Sequence, residues 1–111
     1  MNLDDLREYG ADVDTGVKRC ANKETLYLKL VNKAAQSEEM DALENSIASG
    51  DIEAAFGYAH GLKGVATNLS LTPLSDPICE LTELLRAKAG GYDSSMAEAK
   101  AAFENLKKIC D

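Results

Sequence analysis

Residues 51–71, DIEAAFGYAHGLKGVATNLSL, constrain the fold of this chain more than any other stretch. Ile52, Ala55, Ala59, Leu62, Ala66 and Leu69 recur at alternating spacings of three and four. At about 100° per residue these positions fall on one stripe, the pattern of a helix that must bury one face against other elements. Gly50 is a stop for whatever precedes, and Asp51 is a ready N-cap. Thr72 and Pro73 then start another helix, with Pro73 at the first helical position, where its missing N–H costs nothing. The connection at Gly50 and Asp51 is so short that the helix before it and the central one must be antiparallel neighbours.

The rest of the chain carries the same period. Asn2 caps a short helix over Leu3 to Tyr9, which Gly10 ends. Asp12 or Asp14 starts a second, with Val13, Val17 and Cys20 on one side and Gly16 as a weak point. Asn22 caps a third, whose stripe is Leu26, Tyr27, Leu30, Val31 and Ala34. Ser37 starts a fourth, with Glu38 and Glu39 at the positive end of its dipole and Met40, Leu43 and Ile47 facing inward. Beyond Pro73 the seam runs through Leu74, Ile78, Leu81, Leu85 and Lys88, with a bend expected at Pro77, until Gly90 and Gly91. Asp93 to Ser95 start the last helix, Ser95 and Glu98 are spaced as a capping box, and Met96, Ala99, Phe103, Leu106 and Cys110 form its stripe. No stretch alternates with a period of two long enough for a strand. The expected fold is all-α: an antiparallel four-helix bundle with short additional N-terminal helices, one domain over residues 1–111.

His60 lies roughly 125° from the centre of the apolar stripe of its helix, so the only histidine points to solvent. Lys63 and Gly64, three and four residues on, are its neighbours on that surface. Glycine inside a helix costs about 1 kcal/mol relative to alanine, so an exposed one beside a histidine implies close approach by something. Gly57 and Gly61 raise the same question. An exposed histidine alone reads as a solvated residue, and Lys63 alone as a solvated lysine.

The spacing H-x-L-K-G-x-x-x-N-L, met by His60, Leu62, Lys63, Gly64, Asn68 and Leu69, resembles the signature of histidine-containing phosphotransfer (HPt) domains. Ser70 departs from it, where that family commonly has glycine. The resemblance implies that His60 accepts a phosphoryl group and exchanges it with an aspartate of a receiver domain, in a response regulator or a hybrid histidine kinase. Lys63 then balances charge on the phosphoryl oxygens, and Gly64 leaves room for the receiver. Phe56, Gly57, Gly61 and Thr67 fall to the docking surface, with Phe56 equally placed at the core edge. Asn68 reads as a structural hydrogen-bonding group. HPt domains often set a Gln or Glu of the facing helix against the second ring nitrogen; Thr82 or Glu83 stands nearest that place, and Pro77 leaves the register open.

Composition narrows the alternatives. Twelve Lys and Arg against nineteen Asp and Glu give a net charge of −7, which argues against nucleic acid and anionic membranes as partners. No apolar run approaches the roughly 20 residues of a membrane span. The acidic N-terminus lacks the features of a signal peptide, so the expected location is the cytoplasm. Cys20, Cys79 and Cys110 are widely spaced and read as reduced, mostly buried thiols rather than a redox pair. One histidine with dispersed carboxylates makes no metal site, and there is no glycine-rich phosphate loop or catalytic triad. The expected protein is a monomeric phosphoryl carrier with no cofactor, no metal and no kinase activity of its own. The competing reading is a helical adaptor that binds a partner through the same surface without phosphate.

Overall fold

The computed structural model describes residues 1–110, all of whose regular structure is helical. The order is α1 (Leu3–Tyr9), α2 (Val13–Arg19), α3 (Glu24–Ala35), α4 (Glu39–Ala48), α5 (Ile52–Asn68), α6 (Thr72–Ala87) and α7 (Asp93–Cys110). Helices α4 to α7 form the antiparallel bundle, each packed on the next, with α5 against both α4 and α6. Connections of three residues on either side of α5 enforce that arrangement. The stripe of α5 delivers Ala55, Ala59, Leu62, Ala66 and Leu69 to the core, where they meet Leu43, Ile78, Leu81, Phe103 and Leu106; Ile52 stays half-buried at the rim. Three alanines on one face let α5 approach its neighbours closely.

The short N-terminal helices cover the end of the bundle where α5 passes into α6. Tyr27 of α3 is fully buried there, and its hydroxyl donates to the Leu69 carbonyl at 2.8 Å. The Asp12 N–H donates to the Ser70 carbonyl at 3.0 Å. Tyr9 pins α1 to α7 by donating to the Ala102 carbonyl at 2.9 Å. Gly16 is buried under Tyr27: a Cβ there would stand 2.4 Å from the ring's Cε1 and 2.9 Å from the Leu69 oxygen. The weak point in α2 is therefore a packing contact, where the missing side chain makes room for an aromatic ring.

Several helix ends differ from the sequence expectations. Asn22 does not cap α3; it lies in the left-handed region at φ +61, after Ala21 at +57, and Lys23 takes the cap position without a side-chain hydrogen bond. Asparagine tolerates that conformation, so it serves the turn instead. Helix α4 begins at Glu39, with the Ser37 hydroxyl accepting from its N–H. Thr72 is the first residue of α6, one place inside the expected cap, and Pro73 moves to the second position, which lacks an intrahelical partner just as the first does. Helix α6 runs on through Pro77 and ends before Lys88, which adopts the left-handed conformation at φ +52 and so closes the helix instead of continuing its seam. Ser95 is buried inside α7, two residues past its start, and caps nothing. Leu26 is exposed, and α3 turns Tyr27, Val31 and Ala35 inward. Of the thiols, Cys20 is buried, while Cys79 and Cys110 are only half-buried.

Candidate functional site

Helix α5 presents its second face to solvent because its ends are well determined. The Asp51 carboxylate accepts from the Ala54 N–H at 3.2 Å. At the other end, the Leu71 N–H donates to the Ala66 carbonyl and the Ser70 N–H to the Thr67 carbonyl, with Ser70 in the left-handed conformation at φ +55. These are the paired bonds of a Schellman termination, sealed by Ala66 and Leu71, both buried. With both ends set, burial of Ala55, Ala59, Leu62 and Ala66 fixes the rotation of α5 about its axis.

On that face His60 is exposed, Lys63 is half-buried and Gly64 is exposed. A Cβ on Gly64 would meet nothing within 4 Å, and the same holds for Gly57. At Gly61 it would come 3.1 Å from the Glu39 carboxylate of α4, the far end of a flexible side chain. The glycines thus leave one flank of His60 open. The other flank is aromatic: Phe56, half-buried, has its ring centroid 5.8 Å from that of His60 at 43°. Arg86 of α6 lies over the ring of Phe56, 5.1 Å from its centroid, and is itself 3.5 Å from Glu83. Phe56 therefore stands at the core edge beside His60, steadied by a cation–π contact.

Neither Thr82 nor Glu83 reaches the imidazole. Thr82 is fully buried and donates to the Ile78 carbonyl at 2.6 Å, within its own helix. Glu83 is exposed and turned to Arg86. Among the described residues no side chain hydrogen-bonds the His60 ring. Asn68 is exposed and forms no side-chain hydrogen bond, so the structural role expected for it is not found.

His60, Lys63, Gly64, Thr67 and Asn68 share a shallow concavity of about 370 Å³ with Arg19 of α2. Arg19 donates from its guanidinium to the Thr67 carbonyl. No spacing in the sequence points to it, because the chain must fold before α2 lies over the end of α5. A larger groove of about 670 Å³ adjoins at Gly64 and Asn68, lined chiefly by apolar side chains such as Leu30, Ala34, Leu62 and Val65. The smaller concavity brings the imidazole together with two cations, Lys63 and Arg19. An exposed imidazole with open space on one side and positive charge nearby can attack an electrophilic phosphorus and hold the product anion.

The family model of the Hpt domain matches residues 31–109, from the middle of α3 almost to the end of α7. No curated protein and no solved structure matches the chain significantly.

Proposed function

Because the chain belongs to the Hpt domain family, we propose that it is a phosphocarrier of a two-component relay, with His60 as the residue that carries the phosphoryl group. Its partners in this reading are receiver domains, of a response regulator or a hybrid histidine kinase. An imidazole nitrogen of His60 attacks the phosphorus of a receiver's phosphoaspartate. The P–O bond to the carboxylate breaks as the P–N bond forms, and the imidazole proton leaves to solvent. The reverse step returns the group to an aspartate. Lys63 balances charge on the oxygens in both directions. Gly64 and Gly57 keep the approach clear, while Phe56, Gly61 and Thr67 border it. The chain works as a single unit over residues 1–111 and relays, rather than generates, the phosphoryl group.

The observation that supports this best is the exposed His60 with no side chain between it and solvent on the glycine flank. The test is incubation with a phosphorylated receiver domain, followed by locating the transferred phosphate. Label is expected on His60 in an acid-labile linkage, and none on the His60→Gln variant. That variant should melt within about 0.5 kcal/mol of the parent in stability, as surface substitutions do. Stable receiver binding with no transfer would instead mark the chain as an adaptor. Uptake retained in the variant would place the acceptor elsewhere.

A further inference from the structure

Arg19 lies outside the span matched by the Hpt family model, which begins at residue 31. It nonetheless lines the same concavity as His60 and Lys63. Of the three arginines, Arg7 pairs with Asp4 and Asp14, and Arg86 pairs with Glu83. Arg19 has no carboxylate within 4 Å among the described residues; its guanidinium rests on the Thr67 carbonyl. Asp12, at the far end of α2, feels its charge only weakly, its carboxyl being held low first by the Thr15 hydroxyl and N–H. In a chain with a net charge of −7, a guanidinium left without an acid at the rim of this site is a local reversal of sign. Thr67 follows His60 by seven residues, two turns or about 10 Å along the axis and only about 20° round it. Arg19 and His60 therefore border the same strip of surface, which also carries Gly64, where a Cβ would meet nothing within 4 Å.

We infer that Arg19 is a second cation of the phosphoryl site, delivered from α2 and parked on the Thr67 carbonyl until His60 carries phosphate. This rests on the reading of His60 as the acceptor. A carbonyl at a helix end is a neutral partner that water replaces at small cost. Phosphoryl oxygens are anionic, and the charge-assisted bonds they offer a guanidinium are stronger and fit its planar fork. The free protein thus holds Arg19 near the site by a bond weaker than the one phosphorylation provides. The same cation attracts an incoming phosphoryl donor before any bond forms.

The test uses phosphoramidate as a small donor and the full chain. The donor's P–N bond breaks as the bond to imidazole nitrogen forms, and the imidazole proton leaves with ammonia. Arg19→Gln keeps an N–H for the Thr67 carbonyl and removes the charge; Arg19→Lys keeps a charge. At low salt Arg19→Gln should load about threefold more slowly than wild type, the size expected of one solvent-screened charge at this range. Arg19→Lys should recover most of that loss. Near 1 M salt the difference should shrink, and melting temperatures should stay together. Equal loading of Arg19→Gln and wild type at low salt would overturn the inference and leave the carrier reading intact. A loss that follows a lowered melting temperature would make Arg19 a structural cap of α5 and also overturn it. A wild type left unlabelled at His60 would remove the carrier reading and this inference with it.

Discussion

At the scale of single residues, two helical glycines look alike in sequence and differ completely in surroundings. Gly64 faces open space, where an added Cβ would meet nothing within 4 Å. Replacing it with a better helix former should stabilise α5 by up to about 1 kcal/mol. In Gly64→Gln that side chain would project beside His60 into the space that the proposed phosphotransfer leaves for a receiver. The expected outcome is a melting temperature equal to or above wild type, with phosphotransfer from a receiver sharply slowed. Loading from phosphoramidate, which needs little room, should suffer less. A variant that melts much lower would reveal a packing role that the open surroundings do not contain. One that transfers normally would mean that the receiver comes from another side.

At the scale of elements, α2 is the part whose position matters beyond its size. It is seven residues long, too short to be stable alone, and it is held by what it packs against. Gly16 is where it fits under Tyr27, and that ring cannot retreat, because it is buried and its hydroxyl is tied to Leu69. Gly16→Ala adds a good helix former yet forces a Cβ into the ring and the Leu69 carbonyl. Overpacking of this kind costs about 1–3 kcal/mol, which outweighs the gain of about 1 kcal/mol in helix propensity. A lowered melting temperature in thermal or urea unfolding is the expected result; an unchanged or raised one would show that α2 can shift without loss. The end of α5 carries a related constraint. Ser70 stands in the left-handed conformation where glycine is cheapest, which gives a physical reason for glycine at that place in the resembling pattern.

At the scale of the whole molecule, two tyrosines tie the N-terminal helices to the bundle, and both titrate abnormally. Burial is the first cause in each: it pushes Tyr27 up to about 12 and Tyr9 well above its ordinary value of 10. The folded state therefore holds these protons more tightly than the unfolded chain does. Their stabilisation is complete below about pH 10, where the unfolded tyrosines ionise, and is lost as pH rises toward 12. Melting temperature should fall steeply above about pH 10 in wild type and less steeply in a Tyr9→Phe, Tyr27→Phe double variant, which is weaker at neutral pH for want of two hydrogen bonds. Parallel slopes in the two proteins would assign the alkaline loss to other groups. The same division of labour separates what is readable in the chain from what is not. Local periodicity determined the helices, the inward stripe of α5 and the outward direction of His60, because a helix obeys its own sequence over one or two turns; capping chemistry determined only some of the helix ends, such as Asn2 and Asp51. Sequence also carried the motif from His60 to Leu69. Which Cβ positions are crowded, which face of α6 meets Phe56, and that Thr82 lies buried were decided by packing between elements distant in the chain. Arg19 belongs wholly to that second class: it comes to the site only when Tyr27, closing over Gly16, seats α2 on the end of α5.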